Sequence, residues 1–144
     1  MGDLKEEFEG HFRQGLINKE LYETYLAGFT FSPPDSVPEA KSIIVVAVPE
    51  PRLSVAFAWN GEQVQTTIPP TYGERKKDRR TRERLTQALE PAGYHIAKAT
   101  LPKKLLAVCS GLATYGKNNI TYVPGLGSFH RLVAVYSDLP APED

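Results

Sequence analysis

The residues best suited to chemistry lie between positions 110 and 140, SGLATYGKNNITYVPGLGSFHRLVAVYSDLP. Gly111, Gly116, Gly125 and Gly127 surround a polar Lys117-Asn118-Asn119 core, and the segment then runs straight into an apolar stretch. Glycine has no Cβ, so at 111 and 116 it could let backbone N–H groups and the Lys117 ammonium approach a phosphate or another polar cofactor group. The same spacing suits a helix C-cap followed by a turn, with Asn118 and Asn119 tolerating left-handed backbone angles. It matches neither the P-loop nor the Rossmann fingerprint.

A second chemical feature is the basic run Arg75, Lys76, Lys77, Arg79, Arg80, Arg82 and Arg84, offset by Glu74, Asp78 and Glu83. Positive charge near a helix N-terminus opposes the macrodipole, which favours an anionic partner such as RNA. A solvated helix face is the plainer reading, because the 17 Lys and Arg are balanced by 17 Asp and Glu. His11, His95 and His130 are too far apart for a short metal-ligand motif and read as solvent-facing or locally bonded. Cys109, among Leu105, Leu106 and Val108, reads as a buried thiol with no adjacent base to activate it. Tyr72 and Tyr115 each neighbour a glycine and suit either a pocket wall or a core cover.

The elements that must position these residues follow from periodicity. Leu4, Phe8, Phe12 and Leu16 have the spacing of one helix face, and Asn18 suits the N-cap of a second helix presenting Leu21, Tyr22, Tyr25 and Leu26. The proline-rich segment 31–38 forms an ordered connection. Residues 42–48, β-branched and without polar alternation, predict a central strand covered on both faces. Residues 53–59 and 63–68 flank Asn60-Gly61, a dipeptide suited to a type I′ hairpin turn. A charged helix over about 74–90, with Leu85 and Leu89 inward, a strand over 93–99, a helix from Pro102 and a strand over 129–136 complete the pattern. The irregular mixture predicts an α+β fold: a mixed β-sheet with flanking helices.

With 144 residues and 41% hydrophobic content, the expected organisation is one domain over 1–144, with a helical N-terminal part (1–30) and an α+β core (36–140). No apolar run is long enough to cross a bilayer, so a cytoplasmic protein with no membrane partner is expected. One cysteine permits neither an internal disulfide nor a cysteine-ligated iron–sulfur cluster within this chain. No metal site and no catalytic residue can be assigned from these patterns.

Residues 101–129, LPKKLLAVCSGLATYGKNNITYVPGLGSF, with Ser137-Asp138-Leu139-Pro140 after them, resemble the N-terminal catalytic region of the epoxyqueuosine reductase family and its iron–sulfur relatives. The family pattern is close to AGLGWIGKN, a short spacer, GSWFFLGE and then TDL. Ser110, Gly111, Leu112, Gly116, Lys117, Asn118, Gly127, Ser128, Phe129, Asp138 and Leu139 stand at matching positions. Residues 41–48, 68–72 and 93–94 look like the same group, so the likeness spans most of the chain after about Ser36.

The resemblance implies a fold related to the nitroreductase-like core of cobalamin-dependent reductases, with a corrinoid in a cleft. Its cofactor-binding residues would be Gly111, Leu112, Tyr115, Gly116, Lys117, Asn118, Asn119, Gly127, Ser128 and Phe129. Electrons would come from two 4Fe-4S clusters in a ferredoxin-like domain that is expected beyond Asp144 and absent from this sequence. The family's proton-donating aspartate, in a VDSAPVLER-like segment, corresponds to Ala97 here. The implied function is a cobalamin-dependent redox domain acting on a substrate other than that of epoxyqueuosine reductase. The alternative is a non-catalytic RNA- or protein-binding module using the basic helix over 75–84. A flavin is a third expectation, because the implied fold also serves flavin enzymes.

Overall fold

A computed structural model of the chain describes residues 2–70 and 76–142, and for residues 2–4, 7 and 8 the backbone alone. The first helix, α1 (Gly2–Arg13), is followed by α2 (Lys19–Leu21), which continues as a π-helical turn over Tyr22–Leu26. Asn18 caps α2 as expected: its Oδ1 accepts from the N–H groups of Glu20 at 2.8 Å and Leu21 at 3.2 Å. The π turn closes through Ala27 N–H to Tyr22 O at 2.8 Å, a wider turn than the α-helical period assumes. Tyr22 and Leu26 are therefore half-buried, while Leu21 and Tyr25, expected on the same face, are exposed. Phe12 stacks on Tyr22 with ring centroids 4.1 Å apart. The side chains of Leu4 and Phe8 lie outside the described residues, and Leu16 is past the helix end and exposed.

The strands are β1 (Ser42–Pro49), β2 (Leu53–Trp59), β3 (Glu62–Ile68), β4 (Ile96–Lys98), β5 (Thr114–Tyr115), β6 (Thr121–Tyr122) and β7 (His130–Ser137). Two further helices are α3 (Lys76–Leu89), extended by a 3-10 turn over Glu90–Ala92, and α4 (Lys103–Cys109). Helices and strands thus mix as an α+β fold requires. The largest sheet has the order β1-β7-β4, so β7 and not β1 is the central strand. β7 is buried along most of its length, whereas β1 is half-buried at nearly every position. The polar His130 and Arg131 at the start of β7 mask its central place in the sequence, and both are satisfied by internal partners. In place of the expected mixed sheet, the pairs β2–β3, β4–β7 and β5–β6 are antiparallel. Bonds from Lys41 N–H to Ser137 O at 2.8 Å and from Glu50 N–H to Phe129 O at 3.0 Å set β1 antiparallel to β7 as well. None of the described helices is long and apolar enough to cross a membrane.

The chain divides into two compact units whose boundary passes through β1, α3 and β7. The first comprises Met1–Ile44, Ala88–Pro102 and Ala134–Asp144. Its β4–β7 ladder sets Ala97 opposite Tyr136. Val37, Ala99, Leu101, Ala134, Val135 and Tyr136 are its buried apolar residues. The Tyr136 hydroxyl donates to Thr30 O at 2.8 Å, Ser137 Oγ to His95 O at 3.0 Å and Ser42 Oγ to Leu139 O at 2.7 Å. These bonds satisfy the polar groups that burial would otherwise penalise.

The second unit comprises Val45–Gln87 and Lys103–Val133. Its core is built on Ala107, Ala113 and Val123, with Val45, Ala47, Val108, Leu112, Leu126 and Leu132 packed around them. Ala107 is fully buried, which turns Cys109, two residues on and so on another helix face, outward. The thiol expected in the core is exposed for that reason. The hairpin β2–β3 forms as its turn residues dictate, with Asn60 at φ 51° and Gly61 at φ 82° and Trp59 opposite Glu62.

Candidate functional site

Residues 110–129 wrap a small ladder, Thr114 opposite Tyr122 and Tyr115 opposite Thr121, around a tight loop. Gly116 N–H donates to Ile120 O at 2.8 Å, Asn119 N–H to Gly116 O at 3.0 Å, and Asn118 Oδ1 accepts from Ile120 N–H at 3.3 Å. Lys104 Nζ reaches back from α4 to Asn119 O at 3.0 Å. Gly116 suits this packing, because a Cβ there would stand 2.6 Å from Cε2 of Tyr122 and the ring would have to shift. The second turn is closed by Val123 and Gly127, whose backbones exchange bonds of 3.0 and 2.9 Å. Open space lies beside Gly111, Gly125 and Gly127.

This second turn delivers Ser128, Phe129 and His130 to a groove of about 380 Å³. Pro69, Pro70, Lys104, Ile120, Thr121 and Thr67 complete its lining. An adjoining hollow of about 290 Å³ shares Pro70, Lys104, Thr121 and His130 and adds Lys103, Arg131 and Leu132. The walls therefore combine apolar surface with cationic groups. Arg52 lies over the Phe129 ring at 4.7 Å, within cation–π range.

The buried imidazole of His130 is fully engaged. Its Nδ1 lies 3.0 Å from Gly127 O and its Nε2 3.1 Å from Thr121 Oγ1. A carbonyl can only accept, so Nδ1 carries the proton, and in the neutral ring Nε2 accepts from the Thr121 hydroxyl. Beside it, Arg131 Nε donates to Glu50 Oε1 at 3.1 Å, while its terminal nitrogens reach Asp78 Oδ1 at 3.4 Å and Pro70 O at 3.2 Å. Lys77 donates to the other oxygen of Glu50. Burial pushes the Glu50 carboxyl up, but the hydrogen bonds from Lys77 and Arg131 outweigh it and hold the group below the ordinary range. Lys103 Nζ stands 3.6 Å from Asp78.

Of the expected cofactor-binding residues, Ser128 and Phe129 line the groove. Leu112 packs against the alanine core, Tyr115 is exposed on β5, and Lys117 and Asn118 are exposed at the loop tip. Partial desolvation, and then the nearby Cys109, raise the Tyr115 pKa although the side chain as a whole is exposed. Asn119 offers its carbonyl to Lys104, Gly111 follows the end of α4 with its N–H donating to Val108 O at 3.0 Å, and Gly116 and Gly127 shape the two turns. Lys104, Thr121 and His130 are groove residues the sequence reading passes over. A lysine in a helix and a threonine in a strand carry no local signal of such a role.

The basic helix is partly committed to internal partners. Lys77 serves Glu50, and Arg79 pairs with Glu83 at 3.2 Å, while Arg75 and Tyr72 lie outside the described residues. Among the described residues no group of histidine, cysteine or carboxylate side chains could hold a metal ion. In the first unit His95 pairs with Asp138: N–H to Oδ1 at 2.8 Å and Nδ1 to Oδ2 at 3.0 Å. The backbone hydrogen bond from His95, and then its side-chain bond, lower the Asp138 pKa. No family model matches the chain, and no curated protein or solved structure proves similar to it.

Proposed function

We infer that this chain is the cofactor-binding part of an epoxyqueuosine reductase-like redox protein, holding a cobalamin-type corrinoid against the groove of its second unit. The observation that carries the reading is that Ser128 and Phe129, the end of the segment resembling the family pattern, line the same groove as Lys104, Thr121 and His130. An apolar wall with a few polar groups is the usual make-up of a cofactor site.

The residues present suit such a group in part. At about 380 Å³ the groove accommodates an arm or an edge of the corrinoid and not the whole ring. Lys117 and Asn118 are exposed and do not line the groove, and the Asn118 oxygen already accepts from Ile120 N–H. Both nitrogens of His130 are engaged, so that imidazole offers no ligand to cobalt. When bound, the corrinoid supplies the redox chemistry, while the chain binds, orients and excludes water. Electrons would come from a separate iron–sulfur carrier. Ala97, at the position that corresponds to the family's proton-donating aspartate, has no proton to give, which supports a reaction other than that of epoxyqueuosine reductase.

The reading is tested by titrating hydroxocobalamin with the protein and following the visible absorption. A saturable shift of the corrinoid bands that Phe129→Ala weakens supports it. An unchanged spectrum at high protein concentration removes it.

A further inference from the structure

The hairpin β2–β3 stands apart from the rest of the second unit. Neither strand packs extensively against any other element, and every residue from Leu53 to Thr67 is exposed. Leu53, Val55, Phe57 and Trp59 alternate along β2 and so share one face, which Val64 joins from β3, opposite Phe57. Their exposures run from 37% for Val64 to 65% for Trp59. The other face carries only Ser54, Ala56, Ala58, Gln63, Gln65 and Thr67. An isolated two-stranded hairpin is marginal in water and needs a packed face to persist.

We propose that a second copy of this chain covers that face, two hairpins stacking their Leu53–Val55–Phe57–Trp59 surfaces about a twofold axis. Three observations single out a second copy. First, taking about 200 Å² for each large side chain, the five residues expose on the order of 500 Å². Two such faces together reach the roughly 1,000 Å² that a specific interface needs. Second, Glu62 is the only charged residue between Leu53 and Ile68, so an identical face meets no other like charge. Third, Glu62 lies at one end of the face, and an antiparallel stack sets the two copies' Glu62 about 20 Å apart, beyond the screening length at physiological salt. The proposal is independent of the cofactor reading, since none of the five residues lines the groove.

Trp59 is the single tryptophan of the chain, so its emission reports on this face alone. Sedimentation velocity from low micromolar to near-millimolar protein should give a monomer–dimer equilibrium, with Trp59 emission moving to the blue as dimer forms. Phe57→Glu should weaken association by at least about 30-fold, as for a central interface residue. Ala58→Lys, on the opposite face, should leave it intact. Far-UV circular dichroism of both variants reports whether they remain folded. A monomer at every concentration overturns the proposal, as does a dimer that survives Phe57→Glu or is lost with Ala58→Lys.

Discussion

The carboxylate of Glu50 accepts a hydrogen bond of 3.1 Å from Arg131 Nε, joining residues 81 positions apart, and it holds Lys77 on its other oxygen. The Glu50 side chain is only 3% exposed, so its charge depends on those two cations. Removing one member of a buried pair leaves the rest uncompensated, at about 3–5 kcal/mol. Arg131 and Lys77 keep some access to water, which puts Glu50→Ala at the lower end, about 3 kcal/mol. Urea unfolding of the variant beside the wild type measures this, and a loss within the scatter of surface substitutions refutes it.

The same carboxylate sets an acid limb. Its pKa in the folded chain lies below the ordinary 4.5, so the stabilisation is fully present above that value and is lost as pH falls through the folded pKa. Thermal midpoints should therefore hold above pH 4.5 and fall below it. Glu50→Gln should be less stable at neutral pH and show a flatter acid limb. A steep limb of unchanged size in that variant assigns the acid sensitivity to other carboxylates.

Gly116 and Tyr122 form a size-matched pair. An added methyl at 116 must displace the Tyr122 ring, and because that ring is partly exposed the cost is about 1 kcal/mol. Gly116→Ala should lose that much, and Tyr122→Ala in the same background should restore part of it. Two losses that simply add would show that the ring is not what excludes the methyl.

Thr121→Val keeps the shape of the buried threonine but removes the hydroxyl facing His130 Nε2. An unsatisfied buried acceptor costs about 1–3 kcal/mol. The variant should unfold earlier, and ¹⁵N spectra of the wild type should show a proton on His130 Nδ1, where the Gly127 carbonyl accepts it. An Nε2-protonated ring would reverse the hydrogen-bond assignment.

What was legible in the sequence is what local chemistry dictates. Asn60-Gly61 announced the hairpin because few residues tolerate left-handed angles, and Asn18 announced α2 because its side chain satisfies free N–H groups. The groove was half legible. Ser128 and Phe129 stand at positions that match the reductase pattern, whereas Lys104 reaches the site from α4 and Thr121 and His130 follow the turns that precede β6 and β7. The Glu50–Arg131 pair was hidden, since no local rule links residues so distant. Cys109 was misplaced because an apolar neighbourhood in sequence says nothing of which helix face carries the alanine core.

Thermal unfolding with and without hydroxocobalamin tests the cofactor reading most directly. A ligand that binds only the folded chain stabilises it by about 2.7 kcal/mol at 100 times its Kd. The wild-type midpoint should rise with cobalamin concentration, and Ser128→Trp, which fills the groove, should abolish the rise while remaining folded. A midpoint indifferent to cobalamin at saturating concentration, or an equal rise in Ser128→Trp, contradicts the proposed site.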